Sequence, residues 1–105
     1  MDLPPDLPFT AKQLADRVII TVHSDANNHP SLAKEGSYSW IAKASGTIEL
    51  DFSGVAQVSS QLVAWLFHLI QAGRLTSLVI SKANNFVVKQ LKQVYLDRFV
   101  TISYS

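Results

Sequence analysis

Between residues 47 and 52, Ile48, Leu50 and Phe52 alternate with Thr47, Glu49 and Asp51. This is the period of two that turns one side of a β-strand to a core and the other to water. After Ser53-Gly54 the period changes: Leu62, Leu66, Leu69 and Ile70 share one helical stripe, and Val63, Trp65 and Phe67 make much of the remaining circumference apolar. The pattern predicts a helix that starts near Ser59, stops at Gly73 and is covered on more than one side. Upstream, residues 17–22 read RVIITV, a β-branched strand with Val18, Ile20 and Val22 on one face. Residues 9–14 are expected to form a short edge strand. The Asn- and Asp-rich turn at residues 25–30 leads through Pro30 into a helix expected over residues 30–44, whose apolar spacing is uneven and which contains Gly36. Downstream, residues 78–80 read as a buried strand, and Asn84-Asn85 open a helix with Phe86, Val87, Leu91 and Val94 expected on its inner side. Residues 99–102 close the chain as a last strand. Strands alternating with helices imply parallel pairing through right-handed crossovers, hence an α/β sandwich of four or five strands and about three helices.

Composition narrows the function. At 105 residues and 48% hydrophobic content the chain builds one core and no second. The Pro-rich stretch over residues 1–8 is expected to be an extended lead, and residues 9–105 the domain. Nine Lys and Arg are scattered singly and the formal net charge is +1, so no basic stripe for nucleic acid exists. There is no cysteine, which removes disulfides, thiolate metal sites and thiol nucleophiles and fits a cytoplasmic protein. The N-terminal residues lack a signal-peptide pattern. The longest apolar run, residues 62–70, is interrupted by His68 and is about half of what a bilayer span requires. A soluble protein is expected.

The chemistry-bearing candidates are few. Ser59 and Ser60 sit where a helix begins, among unpaired N–H groups and the positive end of the helix dipole. One of them is expected to cap the helix, a bond worth about 1 kcal/mol. A phosphate on the other would be locally stabilised there and would add about two negative charges for a partner to sense. As a hydrolytic nucleophile either serine would need a base, an acid and a strained glycine-flanked elbow, and the elbow is missing. His23, Asp25 and His29 could be drawn as metal ligands of a small ligand- or metal-binding domain, although their spacing matches no ordered site and a solvated turn is the simpler reading. His68 faces no evident acid and reads as a packed or rim histidine. Asp51, near the C-terminal end of its strand, lies where α/β sheets place ligands, or is a solvent-facing strand residue. Trp40, Trp65, Phe67 and Tyr95 are more aromatic surface than a small core demands; exposed on its helix, Trp65 or Phe67 would mark a protein contact beside the serines.

The strand ending in Leu50, Asp51, Phe52, Ser53, Gly54 and Val55, the loop Val58, Ser59, Ser60, Gln61, the apolar helix closed by Gly73, the Asn84 turn and the helix leading to Leu96 and Phe99 together resemble the STAS family of anti-sigma-factor antagonists. The resemblance covers residues 47–102 closely and residues 17–44 in outline. It implies a single STAS-like sandwich with a mostly parallel sheet, no cofactor and no catalysis. It further implies docking of a kinase-type anti-sigma factor through Asp25, Val58, Ser59, Ser60, Gln61 and Trp65, with Ser60, the second serine, as the phosphorylation candidate and Ser59 as its neighbour. The chain departs from the family pattern where Val58 replaces an acid, Gln61 a glycine and Tyr95 another glycine, and the spacing from Val88 to Leu96 is one residue short. Valine can neither orient a hydroxyl nor contact a kinase through charge, so a STAS subunit that is never phosphorylated, like those regulating lipid-transport ATPases, is the alternative.

Overall fold

The structure, a computed structural model, describes residues 7–104; residues 1–6 of the Pro-rich lead fall outside it. Five strands form one sheet in chain order: β1 (Phe9–Gln13), β2 (Arg17–Val22), β3 (Gly46–Asp51), β4 (Thr76–Ala83) and β5 (Thr101–Tyr104). β1 pairs antiparallel with β2, and β2 through β5 run parallel. Because parallel connections are right-handed and the strands advance in one direction, every crossover must land on the same face. Burial shows the consequence. Val18, Ile20, Val22, Ile48, Leu50, Leu78 and Ile80 lie in the core, while Ile19, Thr21, Glu49, Asp51, Val79 and Ser81 on the other face are half-buried under no helix.

Two α-helices cross over the sheet, α1 (Ser60–Ala72) from β3 to β4 and α2 (Asn85–Gln93) from β4 to β5. The third expected helix, over residues 30–44, does not form. Its place is taken by short 3-10 segments at Pro30–Ala33, Glu35–Ser37 and Ser39–Lys43, preceded by another at Ser24–Asn28. Lys34, in extended conformation between the first two of the three, breaks the run, and the fully buried positions, Leu32, Ser37 and Ile41, are spaced too irregularly for a helical stripe. Ser37 holds this crossing together. Its hydroxyl donates to the Leu32 and Lys34 carbonyls at 3.0 and 2.8 Å, and its own carbonyl accepts from the indole N–H of Trp40 at 2.7 Å and of Trp65 at 2.9 Å.

Other boundaries shift by small amounts. β4 extends well beyond residues 78–80, and β5 starts at Thr101, leaving Phe99 outside it and exposed. On α2 the inward residues are Val87, Val88 and Leu91; Phe86 and Val94 face out. Gly73 ends α1 for a steric reason: a Cβ there would meet the Leu69 carbonyl at 2.9 Å and the Thr76 hydroxyl at 2.5 Å. Among the described residues, two with side chains adopt positive φ, Lys82 (59°) and Tyr95 (64°), a conformation costing on the order of 1 kcal/mol.

Candidate functional site

The loop over residues 52–59 joins the C-terminal end of β3 to α1. It has no regular structure, so its backbone groups need partners from elsewhere, and three amide side chains supply them. Asn27, in the first 3-10 segment, accepts from Ser59 N at 2.7 Å and donates to the Gln57 carbonyl at 2.6 Å. Asn84 caps α2 by accepting from Val87 N at 2.8 Å and reaches back to the Val55 and Ala56 carbonyls at 3.4 and 3.3 Å. Gln90 of α2 grips Val58 from both sides, accepting from its N–H at 2.8 Å and donating to its carbonyl at 3.1 Å. The loop is thus held in one conformation by elements on either side of α1.

At its end the two serines divide their tasks. Ser59 is the N-cap of α1: its hydroxyl donates to the Asn27 carbonyl at 3.0 Å and accepts from Leu62 N at 3.2 Å. Ser60, the first residue of the helix, is exposed. α1 contains no Asp, Glu, Lys or Arg, so Ser60 opens a helix face without formal charge. Gln61 is tied down by donating to the His29 carbonyl. Val58 turns into the core at 7% exposure; its backbone, not its side chain, belongs to the loop surface. Asp25 is exposed in the same 3-10 segment as Asn27.

Trp65 is corrected outright as a surface contact. It is fully buried, packs against Phe9 with ring centroids 5.0 Å apart, and spends its N–H on Ser37. It lies on the sheet-facing side of α1 with Leu62, Leu66 and Leu69. Phe67 is half-buried and meets Phe99 edge-on at 6.4 Å.

The remaining candidates do not assemble into a reactive centre. His23, Asp25 and His29 form no metal-holding group, and among the described residues no cluster of three His, Cys, Asp or Glu does. His29 Nδ1 lies 2.7 Å from the Ser31 hydroxyl and accepts from Ser31 N, a local cap. His68 stacks on Tyr38 at 4.3 Å, nearly parallel. Asp51 accepts from Ser53 N at 2.9 Å and has Lys82 Nζ 3.7 Å away. Burial alone would push its carboxyl up, but the Ser53 hydrogen bonds and the Lys82 ammonium outweigh that and hold it below the ordinary value. On the helix-free face of the sheet Arg17 bonds Glu49 at 2.8 Å, and Glu49 also accepts from the Ser81 hydroxyl at 2.9 Å. The Arg17 bond and then the Ser81 bond lower the Glu49 carboxyl.

Asn27, Asn84 and Gln90 were not foreseen as parts of the site. Asn84 reads in the sequence as a helix start and Asn27 as a turn residue. Gln90 carries no such local signal, because its partner Val58 lies 32 residues away in sequence.

Sequential strand order, crossovers on one face and a serine-bearing loop before the central helix define a STAS-like sandwich. Among solved structures the chain is similar to a proposed anti-sigma factor antagonist from Thermotoga maritima. The TM-score is 0.64 at 20% identity, over 92% of this chain and 86% of that one. No protein-family model matches the chain, and no curated protein does. Among the described residues, no helix is long and apolar enough to cross a membrane.

Proposed function

We propose that the chain is a non-enzymatic regulator that docks a protein partner, of the kinase-type anti-sigma factor class, through the loop over residues 52–59 and the start of α1. In this proposal phosphorylation of Ser60 ends the docking. The observation that carries it is the division between the serines: Ser59 uses its hydroxyl to hold the loop, and Ser60, one residue on, keeps its hydroxyl exposed at the first turn of α1. A phosphate there would sit at the favourable end of the helix dipole, so the fold would tolerate it. The partner would not. Two negative charges on a helix face that carries none would have to be desolvated in the interface. The similarity in fold to a proposed anti-sigma factor antagonist supports this kind of role. A partner that consumes ATP places the function in the cytoplasm.

Val58 favours a second reading. With its side chain in the core, no carboxylate stands before the serines, and Asn27 and Gln90 position the loop instead. A subunit of a larger assembly could use the same surface without ever being phosphorylated. Incubation with the host's kinase-type anti-sigma factor and ATP, followed by mass spectrometry, separates the two. The switch requires a phosphate on Ser60 that is lost in Ser60→Ala; binding without any mass change establishes the phosphate-independent subunit.

A further inference from the structure

A second surface lies at the opposite end of the domain, where α2 hands over to β5. Tyr95, immediately after α2, is 61% exposed and holds φ at 64°, a left-handed conformation in which glycine is the usual residue. A large aromatic side chain is thus kept on the surface at a backbone position that disfavours it. Phe99 is 59% exposed and leans edge-on against Phe67 of α1, and Val94 is exposed beside Tyr95. Tyr95 and Phe99 flank one short 3-10 turn, and two exposed aromatic side chains on one turn of a small domain mark a contact site.

The charges on this ridge indicate what covers it. Asp97 and Arg98 are adjacent, exposed and opposite in sign, and among the described residues neither forms an ion pair. Arg98 instead lies over the Tyr95 ring, 4.9 Å from its centroid, leaving its N–H groups free at the rim. A two-fold axis pairs a patch with itself, so that each residue meets its counterpart's neighbour. A ridge carrying one acid and one base side by side is complementary to its own copy, Asp97 of one chain facing Arg98 of the other. We infer that this ridge is a homodimer interface, with Tyr95 and Phe99 as its aromatic anchors and the Asp97–Arg98 pair setting the register. Since it sits at the N-terminal end of β5 and the serine loop at the C-terminal end of β3, the dimer presents two docking loops pointing away from the shared interface.

Sedimentation equilibrium of the full chain from low micromolar to submillimolar concentration tests this. The expected result is a concentration-dependent dimer whose dissociation constant rises about tenfold or more in Tyr95→Gly. The same variant, compared as a monomer, melts at a higher temperature than the parent, because the left-handed strain is gone; loss of the dimer then cannot be misfolding. Asp97→Arg and Arg98→Asp each weaken the dimer, and the two combined restore it. A monomer at every concentration, a dimer untouched by Tyr95→Gly, or a charge swap that restores nothing would each overturn the proposal.

Discussion

The two ends of the domain solve opposite problems. At the serine loop the backbone is irregular yet satisfied: Asn27, Asn84 and Gln90 bond six of its groups, and the first turn of the helix that follows exposes the Ser60 hydroxyl and no charge. At the α2–β5 turn the backbone is strained at Tyr95 and the exposed chemistry is aromatic. Polar cross-links fix a surface in one shape, which is what the proposed change of charge at Ser60 would require. Apolar exposure suits a surface that gains by being covered. The lesson is that two loops of one small domain can be held by different means, one by side-chain hydrogen bonds and the other at the expense of backbone strain.

The largest effect should come from what both ends share. α1 runs from one to the other, and Trp65 is its buried anchor. Trp65→Ala removes a whole ring from the core and leaves a Ser37 carbonyl bond unmade, so chemical denaturation should show a loss of about 3–5 kcal/mol. Affinity for a partner should fall only through unfolding; a folded variant with weakened docking would show that Trp65 contributes to the contact surface. Next comes the loop itself. Gln90→Ala strands the N–H and carbonyl of Val58 and should cost about 1–3 kcal/mol, with hydrogen exchange accelerating at residues 55–59 and unchanged at the α2–β5 turn. If exchange quickens at both ends alike, the loop is not held separately.

At the other end the sign reverses. Tyr95→Gly should stabilise the monomer by about 0.5–1 kcal/mol, the relief of left-handed strain less the loss of Arg98 stacking, read as a raised melting temperature. The smallest effect lies on the helix-free face of the sheet. The folded Glu49 carboxyl titrates below its unfolded value, so its stabilisation is complete above the ordinary carboxylate pKa and disappears as pH falls through the folded one. Urea midpoints should therefore drop as pH falls below the ordinary carboxylate range. Arg17→Ala should flatten that drop only slightly, since the Arg17 side chain is 39% exposed and solvent screens the pair.

Most of the fold was legible because it rests on repeated patterns. Ile48, Leu50 and Phe52 declare β3, the stripe from Leu62 to Ile70 declares α1, and one-handed crossovers then place both helices on one face. At residues 30–44 the turn-rich lead into Pro30 predicts a helix. What decides it is the single buried Ser37, whose bonds to Leu32, Lys34 and both tryptophans no local pattern announces. The serine pair was legible as a cap and a free hydroxyl. The amide clamp was not, since Asn27 and Gln90 reach the loop across 32 residues of sequence. Trp65 could be assigned to core or surface only once the angle of α1 on the sheet was known.

The most direct test of the docking surface is a titration of the host's kinase-type anti-sigma factor with this chain, wild type and phosphorylated, with the phosphate mapped by mass spectrometry. The expected result is binding by the unmodified chain, a single phosphate on Ser60 after ATP is added, and loss of binding once it is there, with Ser60→Ala binding throughout. Equal affinity of both forms, or a phosphate on any residue other than Ser60, would contradict the switch.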